Sequence, residues 1–157
     1  MTRTPSDVSL RDVVEDDLLV LHAYEQDEEA VRRSKFTPRP KAAFLSHWRE
    51  RVLPDPDCLS RTVTVDGAVA GNVGSWTAED GRRFVGYWLG RAYWGRGVGT
   101  RALGLFLELD PVRPLYADPH AGNAASVALL ERHGFERLGL DEDGHVLLML
   151  PQESSAA

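Results

Sequence analysis

A mixed α/β fold is the class this sequence predicts, and three observations carry it. Amphipathic, helix-like stretches alternate with short β-branched runs along most of the chain. Asp66-Gly67 stands between two such runs, the signal of an antiparallel hairpin. Gly95, Gly97 and Gly99 then join a strand to a helix. The chain has 157 residues, which suits one domain around one core. No linker divides it, so residues 1–157 are expected to form a single domain, with a core from about 8 to 150 and a frayed tail over 151–157.

The elements follow in order. Val8 to Val13 reads as a strand. Glu15 to Gln26 reads as a helix with acids in its first turn. Leu18 with Leu21, and Leu19 with Ala23, give it an apolar face. Pro40 to Val52 reads as a second helix, with Pro40 suited to its first turn and Pro54 and Pro56 ending it. "SRTVTV" and "AVAGNVGSW" are the hairpin strands, and Arg83 to Gly90 is the next strand. The glycine turn opens a helix reaching about Leu109, and "PLYAD" is a short strand. "NAASVALLERHGF" is a helix, with Asn123 as its N-cap and Gly134 at the left-handed position after its end. His145 to Leu150 closes as a strand. The order is β-αα-βββ-α-β-α-β, with one more strand left open between Phe135 and Leu140.

Composition narrows the function. A formal net charge of −6 argues against a general nucleic-acid binder. No stretch approaches the ~20 apolar residues of a membrane span, and the N-terminus carries no apolar stretch of signal-peptide length. Cys58 is the single cysteine, which excludes an intramolecular disulfide and fits a reducing, cytoplasmic setting. It sits away from the glycine turn, with no basic partner nearby in sequence, and reads as incidental. His22 and His47 make no metal set with their neighbours, so no metal is expected.

Strand, glycine-rich turn, helix is an arrangement for binding anions. The first helical turn offers unpaired N–H groups and the positive end of the macrodipole, and glycine lets a phosphate approach. The ATP/GTP loop requires Gly-Lys-Ser/Thr, whereas Gly99 here is followed by Thr100 and Arg101. The dinucleotide loop follows the first strand of a βαβ unit, whereas this turn lies at mid-chain after a meander.

"YWLGRAYWGRGVGTRAL" resembles instead the pyrophosphate-binding segment of the GNAT acetyltransferase superfamily, Gln/Arg-x-x-Gly-x-Gly/Ala. Gly97-Val98-Gly99 matches the end of that pattern, and Trp94 stands at its opening position. Tyr-Trp-Gly-Arg-Gly is similar to the branch of ribosomal-protein N-terminal acetyltransferases, the RimJ/RimL type. "ADPHAGNAASVALLERHGF" independently resembles that branch's Asn-x-x-Ser-(x)n-Glu-x-x-Gly-Phe, and the likeness runs roughly from Val8 to Leu150.

The resemblance implies a GNAT fold whose central sheet splays near Trp88, Leu89 and Gly90. It implies acetyl-CoA as donor, held by Gly95, Arg96, Gly97, Val98, Gly99, Thr100 and Arg101, with Asn123 and Ser126 on the pantetheine arm. It also implies direct attack by an amine. Many members place a tyrosine, as general acid, seven residues after the motif asparagine; Leu130 occupies that position here. The RimL-like branch offers Ser126 instead. Asp118 and His120, or Glu79 and Asp80, or water, are the candidate bases. The alternative is a non-catalytic acyl-CoA-binding or sensing module of the same fold, which Leu130 favours.

The acceptor is expected to be an amine, and the protein a monomer or homodimer. Asp12 to Glu29 holds eight acids and no lysine or arginine, either an acidic rim for a cationic substrate or a solvated helix face. The basic stretch "VRRSKFTPRPK" follows at once.

Overall fold

The computed structural model describes residues 7–152. Seven strands form one sheet in the order β1-β2-β3-β4-β5-β7-β6. They are β1 (Val8–Asp12), β2 (Leu59–Val65), β3 (Ala68–Thr77), β4 (Arg83–Leu89), β5 (Leu115–Ala117), β6 (Glu136–Leu140) and β7 (Val146–Leu150). The helices are α1 (Asp17–Glu25), α2 (Glu28–Ser34), α3 (Lys41–His47), α4 (Val98–Leu109) and α5 (Ala124–Arg132). A π-helical turn, Trp48–Val52, continues α3. The tail expected to fray lies, from residue 153 onward, outside the described residues.

All neighbouring strands are antiparallel except β4 and β5. These two pair only at Arg83↔Leu115 and Phe84↔Tyr116. β5 ends at Ala117 while β4 runs on to Leu89, so the sheet opens between them. β4 stays in unbroken register with β3 throughout, from Thr77↔Arg83 to Gly71↔Leu89. The splay expected near Trp88–Gly90 is therefore one-sided, a strand held by one neighbour and released by the other.

Two apolar clusters hold the elements. The larger joins Val98, Leu103 and Phe106 of α4 and Val127 and Leu130 of α5 to Val63, Val73, Leu115 and Leu148 of the sheet. The smaller joins Leu18 and Leu21 of α1 to Phe44 and Trp48, with Val69 against it. Asp66 and Gly67 both take positive φ, as a tight two-residue hairpin between right-twisted strands requires.

The observed order fills the stretch left open and adds one helix to the expected order. β6 fills the stretch left open after Phe135. α2 was not expected, because only Ala30 of its seven residues is buried and no apolar period marks it. Its formation rests on Asp27, whose side chain accepts from the Glu29 and Ala30 N–H groups, and on Glu29 pairing with Arg32 and Arg33.

Candidate active site

The three glycines of the turn serve two purposes. Gly95 and Gly97 take φ values of 69° and 77°, the left-handed region that favours glycine. Gly99 does not; a Cβ there would meet Leu129 Cδ2 at 3.1 Å, so its role is to let α4 approach α5. Among the described residues, no side chain caps α4. The N–H groups of Val98, Gly99 and Thr100 thus have no acceptor within the helix and face outward with the positive end of the dipole. An anionic pyrophosphate fits this cradle, because no Cβ at Gly95 or Gly97 stands in its way.

A cleft of about 610 Å³ runs from this turn into the splay. Gly95, Gly97, Val98, Gly99, Thr100, Asn123, Ser126, Trp88 and Leu89 all line it, so the structure gathers two segments that the sequence separates. Asn123 caps α5, accepting from the Ser126 N–H at 3.4 Å. Arg96 stacks on the Tyr93 ring beside the cleft, 5.4 Å from its centroid. Arg101 lies on the outer side of α4, in a shallow depression with Gly104 and Glu108.

Hydrogen bonding sorts the splayed strand. The Gly90 N–H donates to Ala70 O at 2.8 Å. Bonding alternates along an antiparallel pair, so the Trp88 N–H also faces β3. The N–H groups of Tyr87 and Leu89 face the opening. Gly90 serves packing instead: a Cβ there would meet Tyr24 Cε1 at 2.6 Å.

A second cleft of about 570 Å³ lies across the same strand, bounded by Glu25, Phe36, Arg39, His47, Trp48 and Asn72 among others. Tyr87 and Trp88 line both clefts. Burial is the main force raising the Glu25 carboxyl above its ordinary value, against the neighbouring Arg39. Its Oε2 has no hydrogen-bond partner among the described residues. Burial, with Arg39 and Arg51, pushes the His47 imidazole below its ordinary value.

Asp118, His120, Glu79 and Asp80 line neither cleft. His120 accepts from the Gly122 N–H at 3.0 Å and meets the His145 ring edge-on at 5.5 Å, which fastens the loop before α5. Asp80 is bound to Arg82 in the β3–β4 turn. Leu130 is buried in the core and faces no cleft. Asp141, Asp143 and His145 converge near the start of β7, and Asp141 there accepts the Asp143 and His145 backbone N–H groups of its own turn.

The acidic segment is largely neutralised internally. Asp17 binds Arg11, Glu25 binds Arg39, Asp27 binds Arg91, Glu29 binds two arginines and Glu15 binds Arg49. Several cleft residues went unread in the sequence. Tyr87 carries no local signal, and Arg132 reads as a last-turn helix cation. Arg33, 4.8 Å over the Trp94 ring, was visible only as part of a basic stretch.

A family model of the acetyltransferase (GNAT) domain matches residues 7–136. The chain belongs to the GNAT acetyltransferase family. No curated protein matches it. Solved structures share its fold. The aminoglycoside acetyltransferase AAC(6')-Ib in complex with coenzyme A has a TM-score of 0.75 at 23% identity, over 91% of this chain and 93% of that one. The same enzyme with coenzyme A and kanamycin has a TM-score of 0.73 at 24% identity, over 91% and 93%. A domain from Methanocaldococcus jannaschii DSM 2661 has a TM-score of 0.78 at 17% identity, over 92% and 97%. Among the described residues of this GNAT protein, no helix is long and apolar enough to cross a membrane.

Proposed function

We propose that this protein is a RimJ/RimL-like N-acetyltransferase of one domain, moving the acetyl group of acetyl-CoA to a primary amine by direct attack. The observation that carries the reading is the pair of clefts that share Tyr87 and Trp88 of β4 in their walls. One cleft begins at an anion cradle; the other brings aromatic rings and a buried carboxylate to the same strand. A donor and an acceptor entering from the two sides would meet there.

In this reading the pyrophosphate lies over Arg96 to Thr100 and the pantetheine arm passes Asn123. The Leu89 and Tyr87 N–H groups supply donors for the carbonyl oxygen as it gains charge. The amine enters through the second cleft. An alkyl ammonium has a pKa near ~10 and no lone pair, so it must shed a proton before attack. Glu25 and a neutral His47 are the titratable groups in that cleft suited to receive it. The aminoglycoside acetyltransferase AAC(6')-Ib, of the same fold, is solved in complex with coenzyme A and kanamycin, an amine-bearing molecule, and a primary amine is also what a protein N-terminus presents.

The test is thiol release from acetyl-CoA against a panel of amines that includes peptides, polyamines, amino acids and aminoglycosides. Amine-dependent release with formation of the acetylated amine is expected. Tight coenzyme A binding with no release for any amine would favour the non-catalytic module and overturn the transfer reading.

A further inference from the structure

The Tyr87 Oη lies 2.6 Å from Ser126 Oγ and 3.3 Å from the Ser126 carbonyl. A single geometry satisfies both contacts: Ser126 Oγ–H donates to the Tyr87 oxygen, and the Tyr87 O–H points along the longer, weaker contact to the carbonyl. The residues are 39 positions apart and meet because α5 closes over the opening between β4 and β5. Both line the first cleft, and Tyr87 also lines the second. The tyrosine hydroxyl that Leu130 cannot supply from α5 is thus supplied from the facing strand.

We infer that Tyr87 is the general acid that protonates the departing thiolate, and that Ser126 acts through it as a positioning residue. The inference rests on the transfer reading above. Three observations support it. Tyr87 lines both clefts, so it borders the place where a thioester and an amine entering from the two sides would meet. A phenol is a far stronger acid than the alkyl hydroxyl of serine, so of the two it is the better donor. A leaving thiolate, at a pKa of about 8–9, still gains from a donor in a partly dry site. Burial, opposed by the Ser126 hydrogen bond, pushes the phenol up to about 12. It therefore stays protonated at neutral pH; transfer to a thiolate whose thiol has the lower pKa is uphill alone and is drawn forward by the acidic proton on the new amide nitrogen, which refills the phenolate.

The balance of the step is simple. The amine nitrogen bonds to the acetyl carbon and the carbonyl π pair moves to oxygen. When that pair returns, the C–S bond breaks with its electrons on sulfur, and sulfur takes the Tyr87 proton. Ser126 Oγ–H holds the resulting phenolate. The proton shed by the new amide nitrogen then returns Tyr87 to its neutral form through water. One acetyl group and no net proton beyond that of the amine have moved.

The experiment measures steady-state kinetics and coenzyme A affinity for wild type, Tyr87→Phe, Ser126→Ala, Ser126→Thr and the double variant Tyr87→Phe/Ser126→Ala, using an amine that wild type acetylates. Tyr87→Phe should lower kcat about 100-fold, with the coenzyme A Kd and the far-UV spectrum unchanged. Ser126→Ala should lower kcat about 10-fold, and Ser126→Thr should restore most of it because the hydroxyl returns. The double variant should be no slower than Tyr87→Phe alone. A Tyr87→Phe enzyme within twofold of wild type overturns the acid assignment and leaves the transfer reading intact. A double variant slowed by the product of the two single effects overturns the claim that Ser126 acts through Tyr87. If Tyr87→Phe fails to fold, a Ser126→Ala enzyme at wild-type kcat overturns the pair on its own. A wild type that binds coenzyme A and releases no thiol overturns the transfer reading, and the acid assignment with it.

Discussion

Trp88 donates its indole N–H to the carbonyl of Tyr24 at 2.9 Å, which pins the end of α1 to the strand shared by both clefts. The Phe36 ring packs on the same indole at 5.1 Å. The two clefts are therefore linked through one side chain. Trp88→Phe removes the hydrogen bond and is expected to cost about 1 kcal/mol of stability. It should raise the KM of both substrates. Trp94 is the comparison: its indole N–H donates to Leu89 O at 3.1 Å, and it lines only the first cleft. Trp94→Phe should raise the acetyl-CoA KM alone. Urea midpoints and two-substrate kinetics check both.

Gly97 gives the cleanest test of the anion cradle. Its φ of 77° is strained for any other residue, yet an added Cβ would meet nothing within 4 Å. Only the backbone and an incoming ligand oppose a side chain there. Gly97→Val is expected to cost about 1–2 kcal/mol of stability and to weaken coenzyme A binding by about tenfold or more. Gly81→Val is the matched control, with φ of 89° and the same open surroundings but no place in either cleft. It should lose similar stability and keep coenzyme A affinity by titration calorimetry. Gly99→Val is less informative, since it also presses on Leu129.

What the sequence revealed depended on the range of each interaction. The Asp66-Gly67 turn, the N-cap at Asn123 and the helix after the glycine turn are set within a few residues, and all three were legible. α2 was not, because its stabilising groups are charges rather than an apolar stripe. The eight acids of Asp12 to Glu29 suggested a rim, but their partners Arg39, Arg49 and Arg91 come from elsewhere in the chain. The Tyr87–Ser126 contact exists only once β4 leaves β5 and α5 covers the gap. Asp118 and His120 follow the short strand β5 directly, where the sequence offers a candidate base, and neither lines either cleft.

Asn123 has two separable jobs. Its side chain accepts from the Ser126 N–H at the long distance of 3.4 Å, and it lines the first cleft. Asn123→Ala should lose about 0.5 kcal/mol, the low end of the N-cap range, because the cap bond is weak. It should raise the acetyl-CoA KM several-fold. Asn123→Ser separates the two roles: it retains an N-cap side chain but shortens the reach into the cleft. It should recover the stability and not the KM. A melting curve and a KM determination on each variant check this.

The last prediction concerns acid. Asp17 is only 2% exposed and accepts two bonds from Arg11, at 2.7 and 2.8 Å, one from the Val14 N–H at 2.9 Å and one from Thr62 Oγ1 at 2.7 Å. It ties β1, α1 and β2 together. The Arg11 guanidinium is the largest influence, with burial opposing it, and the carboxyl is held down at about 2 against an ordinary value of 3.8. A carboxyl depressed in the folded state stabilises the fold fully above its unfolded pKa, and that contribution fades as pH falls toward the folded value. The loss for Asp17 therefore falls between about pH 4 and pH 2 and amounts to about 2 kcal/mol. Other carboxyls are also held below their ordinary value, Asp110, against burial, by Ser75 and Arg83, and Asp27 by Arg91, and they add to the pH dependence of wild type. Asp17→Asn isolates the term. The variant should be less stable at pH 7, because the Arg11 charge and the Thr62 hydroxyl lose their ionised partner. The gap in urea-unfolding free energy between the two proteins should then narrow by about 2 kcal/mol as pH is lowered from 5 to 2. A gap that stays constant with pH would show that Asp17 holds these strands by hydrogen bonding alone, without its charge.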